Sequence, residues 1–189
     1  MDIPILSLLV TFLHELGHAL AAIASGGSVT SLQVNLDGSG LCTTSGGNRA
    51  LIASGGYLGS IIFGNLMLFI GIRHKYLSRI LAGGLAVGMV LVSLIWFSTL
   101  ESFAFTAIVG AILLVLFIKV KHSGRLFLIL SGAYSVLYII RDYQIGPSSD
   151  LQSFSSIMGL TSLIWMYVWL GMALLVTGFT LYRTIKIKA

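Results

Sequence analysis

The stretch from Ile3 to Ala24 is apolar and long enough to cross a bilayer, yet it carries His14, Glu15 and His18. A polar group left without a partner in hydrocarbon costs on the order of several kcal/mol. Such a segment can fold only against something that satisfies these three groups, and ionisable residues in membrane segments generally mark function. Residues four apart on a helix share a face, so His14 and His18 can turn both imidazoles toward one metal ion. His14-Glu15-Leu16-Gly17-His18 is the HExxH pattern, in which the glutamate stands close enough to a metal site to take a proton from water. A mutually satisfied histidine pair is the ordinary reading in a soluble helix, where water is near, but not in an apolar run.

The rest of the chain has the same character. With 57% hydrophobic and 9% charged residues among 189, and a mean hydropathy of +1.00, it is no ordinary soluble domain. Apolar runs at about 3–25, 50–72, 80–97, 102–118, 126–140 and 160–182 predict six membrane crossings, the fifth of them short. The expected fold is an all-α polytopic membrane protein of about six transmembrane helices, a single domain over residues 1–189. Asp2 stands where a cleaved leader would carry basic residues, and the histidines interrupt the apolar core, so the first run is expected to remain as a helix. The single Cys42 excludes an internal disulfide and reads as a small loop residue.

Charge speaks to orientation. Arg73, Lys75, Arg79, Lys119, Lys121, Arg125, Arg183, Lys186 and Lys188 fall on one side of a six-span topology, together with both termini. Only Arg49 and Arg141 fall on the other. This bias predicts cytoplasmic N- and C-termini in a multi-pass protein, with the plasma membrane as the expected location. The net charge of +5 therefore implies contact with anionic lipid headgroups of the bilayer, and no nucleic acid.

Between the first two runs the pattern changes. Val29, Leu32, Val34 and Leu36 approximate a period of two, glycines punctuate the segment, and Asp37-Gly38 is a hairpin-turn dipeptide. A short β-hairpin at the non-cytoplasmic face is expected, with an edge strand that an extended peptide could join. The second run opens with Gly55-Gly56-Tyr57-Leu58-Gly59, a spacing suited to close contact with the first helix, and Asn65 could hydrogen-bond across that contact. The third and fourth runs, joined near Ser98 to Glu101, read as scaffold.

A catalytic zinc usually has three protein ligands, so one is missing. His74, His122 and Asp2 lie on the cytoplasmic side of the expected topology, leaving Asp37, Glu101, Asp142 and Asp150. Asp37 reads as the hairpin's turn residue and Glu101 as a loop acid. Asp142 could pair with Arg141. Ser149 and Gln152 have capping-box spacing, and Asp150 would then be a first-turn acid favoured by the helix dipole.

Phe12-Leu13-His14-Glu15-Leu16-Gly17-His18-Ala19, Gly26-Gly27, Gly55-Gly56-Tyr57-Leu58-Gly59, Tyr134-Ser135-Val136 and Ser148-Ser149-Asp150, followed by Trp165 and Trp169, span most of the chain. In these features it resembles the site-2 protease group of intramembrane zinc metalloproteases, in its compact B-type branch. The resemblance implies His14 and His18 as metal ligands and Glu15 as catalytic base. It implies a late aspartate as third ligand, which fits Asp150 best and Asp142 as the alternative. Better-known members carry Leu-Asp-Gly on a late membrane helix; here Leu36-Asp37-Gly38 lies in the expected hairpin, so the ligand role is not carried onto Asp37.

The expected function is peptide hydrolysis in membrane-associated proteins by a metalloprotease with one zinc ion per chain. The competing reading is a non-catalytic membrane regulator that keeps fold and metal, which would have no need of Glu15. A transporter would need polar residues along several spans, and the third to fifth have almost none.

Overall fold

The computed structural model describes residues 4–145 and 148–186, with residue 4 and residues 140–145 as backbone alone. Helix α1 (Pro4–Ala24) leads into an antiparallel hairpin of β1 (Ser28–Val34) and β2 (Gly40–Ser45). Helices α2 (Arg49–Arg73), α3 (Lys75–Ile95), α4 (Leu100–Lys119) and α5 (Ser123–Ile145) follow. A short α6 (Ser149–Met158) then precedes the long α7 (Ser162–Lys186). Five helices (α1, α2, α3, α4 and α7) are long and apolar enough to cross a membrane among the described residues; the apolar part of α5, Ser123–Ile139, is shorter. The outward faces of α3, α4 and α7 carry Leu91, Leu94, Ile108, Ile112, Leu175 and Phe179, all exposed. Such apolar surface suits lipid rather than water.

Helix α2 is the centre of the packing, and small residues put it there. A Cβ on Gly17 would lie 2.3 Å from the Gly55 carbonyl oxygen, and one on Gly55 would lie 2.7 Å from the Gly17 carbonyl oxygen. With Gly59 a turn further on, α1 and α2 touch backbone to backbone. Lower down, Gly64 and Gly132 repeat the device between α2 and α5, where a Cβ on Gly132 would meet the Gly64 oxygen at 2.6 Å. Asn65 does not reach across to α1: its amide donates to the Ile61 carbonyl of its own helix at 2.9 Å. At the far end Arg125 donates to the carbonyls of Gly71 and Ile72 at 2.8 and 3.0 Å, placing its charge on the negative end of the α2 dipole.

The hairpin is not confined to a surface. Gly38, at φ +85°, makes the turn, and its carbonyl accepts from the Thr11 hydroxyl at 2.7 Å, so the hairpin tip reaches the middle of α1. Leu32 and Val34 enter the same buried cluster as Leu9, Phe12 and Leu13. Val29 packs against that cluster too, although it sits three residues before Leu32. A register shift between Val29 and Ser31 absorbs the odd residue and keeps both on the inner face. Asp37 is the turn residue: its carboxylate accepts from the Ser39 N–H and hydroxyl at 2.9 and 2.7 Å, which holds it below the usual carboxylate range. Leu36 is exposed beyond the strand.

The outer edge of β1 is closed by the α3–α4 connection. The Leu32 N–H donates to the Trp96 carbonyl at 3.0 Å, and the Val34 N–H to the Ser102 hydroxyl at 2.9 Å. The helices read as scaffold thus hold the sheet in place. Glu101 lies in the first turn of α4, after an N-cap at Thr99, rather than in a loop.

Two substitutions test the packing. Gly17→Ala should destabilise the protein by about 1–3 kcal/mol, because its methyl would meet backbone and the helices must separate. Gly83→Ala on α3, where a Cβ meets nothing within 4 Å, should be neutral. Thermal unfolding in detergent measures both, and equal melting temperatures for the two variants would contradict the backbone contact.

Candidate active site

The glycine contact brings α2 against the histidines of α1. His18 Nδ1 lies 2.6 Å from the Ile52 carbonyl oxygen. A carbonyl can only accept, so Nδ1 carries the proton and neutral His18 keeps the Nε2 lone pair free. His14 Nδ1 faces the buried Ser60 hydroxyl at 3.4 Å. Tyr57 packs edge-on against the His14 ring, with centroids 5.5 Å apart. Gly56 makes room for both rings, since a Cβ there would lie 2.3 Å from His14 Nε2 and 2.5 Å from His18 Nε2.

Helix α6 supplies the third group. Its N-cap is Ser148, one residue before the expected Ser149, and the Ser148 side chain accepts from the Leu151 N–H. Asp150 therefore sits in the first turn. Ser148 also shares a 3.0 Å hydrogen bond with the Tyr57 hydroxyl, while Leu151 and Phe154 join Tyr57, Trp169 and Met166 in a buried cluster. These contacts fix the short helix to α2 and α7. As a result Asp150 Oδ2 lies 3.1 Å from His14 Nε2 and 3.1 Å from His18 Nε2. Burial raises the Asp150 carboxyl pKa, but the two histidine rings facing it outweigh this and keep the group well below the usual carboxylate range.

This donor set fits a metal ion. Two imidazole nitrogens and a carboxylate oxygen lie within 4.8 Å of one another. Ligands about 2.0–2.1 Å from a tetrahedral zinc stand about 3.3 Å apart, close to the separations seen here. The tautomer imposed by Ile52 gives the same answer. An unprotonated Nε2 facing a carboxylate oxygen sets two lone pairs against each other, and a cation between them removes the conflict. Asp142, the alternative third ligand, lies outside the described side chains.

Glu15 is buried beside this centre, held from the hairpin side. The Cys42 N–H of β2 faces its carboxylate, and Gly40 lies so close that a Cβ there would meet Glu15 Oε1 at 2.6 Å. Burial, with Glu15 nearby, pushes the Cys42 thiol up to about 12, so it remains a neutral strand residue rather than the expected loop residue. Between β2 and α6 runs an open cleft of about 550 Å³, lined on one wall by Gly40, Cys42 and Thr44 and on the other by Ser149, Ser153 and Ser156. Glu15, His18 and Asp150 stand in it. A second, smaller space of about 180 Å³ approaches the same groups past Thr11, Tyr57 and Tyr138.

His14, Glu15, His18 and Asp150 thus come together. Asp37 and Glu101 do not join them. Gly56, Ser60, Tyr57 and the Ile52 carbonyl were not foreseen as parts of the site. The glycine pair at 55 and 56 was the available signal, but it pointed equally to helix packing.

Asp150→Asn should weaken zinc binding by at least about 100-fold, and Asp142→Asn should leave it unchanged. Gly56→Ala removes no donor, yet should lower zinc content as much as losing one, because its methyl would clash with both Nε2 atoms, at 2.3 and 2.5 Å, and push the rings aside. Elemental mass spectrometry on purified protein reads all three; a Gly56→Ala protein with full zinc would contradict the arrangement.

No curated protein and no solved structure matches this chain. A family model described as Peptidase M50B-like matches residues 3–180. Nearly the whole described chain is covered, from the start of α1 into α7. With apolar helices throughout, this is an integral membrane protein, and it belongs to the Peptidase M50B-like family of site-2 protease-like metallopeptidases.

Proposed function

We propose that the chain is an intramembrane zinc metalloendopeptidase that hydrolyses peptide bonds of membrane-associated proteins. The observation that carries this reading is the position of Glu15, buried between the three metal-ligating groups and the free edge of β2. A metal-binding regulator would need His14, His18 and Asp150, but not a carboxylate aimed at a strand edge.

The strand edge explains how a substrate is presented. Leu32 and Val34 turn their N–H groups away from β2, so their register partners Cys42 and Gly40 turn theirs away from β1 and toward the cleft. With β1 closed by Trp96 and Ser102, a third strand can pair only with β2. A helical segment hides its carbonyls in its own hydrogen bonds. Pairing with β2 would satisfy that backbone once unwound and lay it past Glu15.

One zinc ion held by His14, His18 and Asp150 would supply Lewis acidity to a water and to the scissile carbonyl. Glu15 takes a proton from the attacking water and delivers it to the departing amide nitrogen. Gly40 leaves room for the Glu15 carboxylate at the strand edge, and the serines of α6 give water a polar wall along which to reach it. Counting α5 as a sixth crossing, the bias in basic residues supports cytoplasmic N- and C-termini, and the plasma membrane is the location that fits it.

Glu15→Gln should leave zinc content near one per chain while lowering cleavage of a reconstituted transmembrane substrate by at least about 100-fold. Proteolysis at the wild-type rate in that variant would exclude Glu15 as the base.

A further inference from the structure

We infer that Arg49 makes the cleft selective for substrates with an acidic side chain on the amino-terminal side of the bond cut; this rests on the proteolytic reading above and adds a substrate class to it. Arg49 is the only Lys or Arg among the described residues lining the cleft that holds Glu15, His18 and Asp150. It is exposed, and it makes no hydrogen bond or ion pair with any described residue. Arg79 and Arg125, by contrast, are committed to carbonyls at helix ends.

Local stability does not account for the residue. Arg49 is the first residue of α2, directly after the Asn48 cap, where a cation opposes the helix dipole. Arg73 at the other end of the same helix has the favourable placement. An unpaired guanidinium at an unfavourable position in a catalytic cleft is accounted for by an anion that arrives with the substrate, because guanidinium pairs with carboxylate in a two-pronged fit.

Antiparallel pairing, slightly the more stable mode per residue, sets which part of the substrate meets it. β2 runs from Gly40, beside Glu15, to Ser45, and the chain continues through Gly46, Gly47 and Asn48 to Arg49. A peptide paired antiparallel to β2 runs the opposite way. Its residues before the scissile bond therefore extend toward Arg49. At about 3.3 Å per residue, the stretch from Cys42 to Ser45 and the reach of the arginine place the acid roughly two to four residues before the bond.

The test uses full-length, zinc-loaded protein in liposomes with and without anionic lipid. A proteome-derived peptide mixture is supplied, and cleavage positions are read by mass spectrometry. Wild type should show Asp and Glu enriched about tenfold at those positions, Arg49→Gln should lose the enrichment, and Arg49→Glu should replace it with Lys and Arg. The same preference in all three proteins would overturn the inference. So would variants altered only in their dependence on anionic lipid, which would make Arg49 a headgroup contact. In parallel, the Glu15→Gln protein is titrated with two fluorescent nonapeptides rich in valine and threonine that differ only in Glu or Gln at the third residue. The Glu peptide should bind about tenfold tighter, and adding Arg49→Gln should erase the difference. Discrimination here without cleavage by wild type would sink the proteolytic reading and keep the anion site; cleavage without discrimination would do the reverse.

Discussion

The close approach of α1 and α2 at Gly17, Gly55 and Gly59 is the contact on which the rest depends. It brings the Ile52 carbonyl to His18, the Ser60 hydroxyl to His14 and the empty flank of Gly56 to both rings. A single methyl group on this seam would push α2 outward, and the imidazoles would lose the partners that set their tautomer and direction. Apolar helices gain little from burying one another in lipid, so intimate backbone contact is what holds two of them at this distance.

The polar groups inside the protein follow from the same constraint. Thr11 is satisfied by the hairpin turn, Glu15 faces the edge of β2, and the Nδ1 atoms of His14 and His18 meet the Ser60 hydroxyl and the Ile52 carbonyl of α2. The hairpin and α6, the two elements that are not long apolar helices, approach α1 from different sides and meet its polar groups there. Backbone without a helix is tolerated at such depth only where protein or a water-filled cleft receives it, and the cleft between β2 and α6 is such a place.

Local pattern made part of this visible beforehand. The spacing of His14 and His18, the apolar runs and the Asp37-Gly38 turn are properties of a few neighbouring residues, and each appears where its pattern put it. The small-residue seam was legible because glycine spacing is local too. What was not legible depends on contacts between distant parts of the chain. The depth of the hairpin rests on a hydrogen bond between Thr11 and Gly38, the exact cap of α6 on Tyr57 meeting Ser148, and the placement of Asp150 on the cluster around Trp169. Nothing in the spacing of Asp142 and Asp150 distinguished them, since a ligand is chosen by where its helix docks.

His14 and Asp150 are separated by 136 positions along the chain, and most of the membrane helices lie between them. The candidate metal site therefore cannot close until α6 has been made and has docked on Tyr57. While the chain is being made, the early helices come first, with Glu15 already present but only two of the three donors available. Under the proposed proteolytic function, a chain built in this order stays incomplete for as long as its own unfinished segments are the nearest extended peptides within reach.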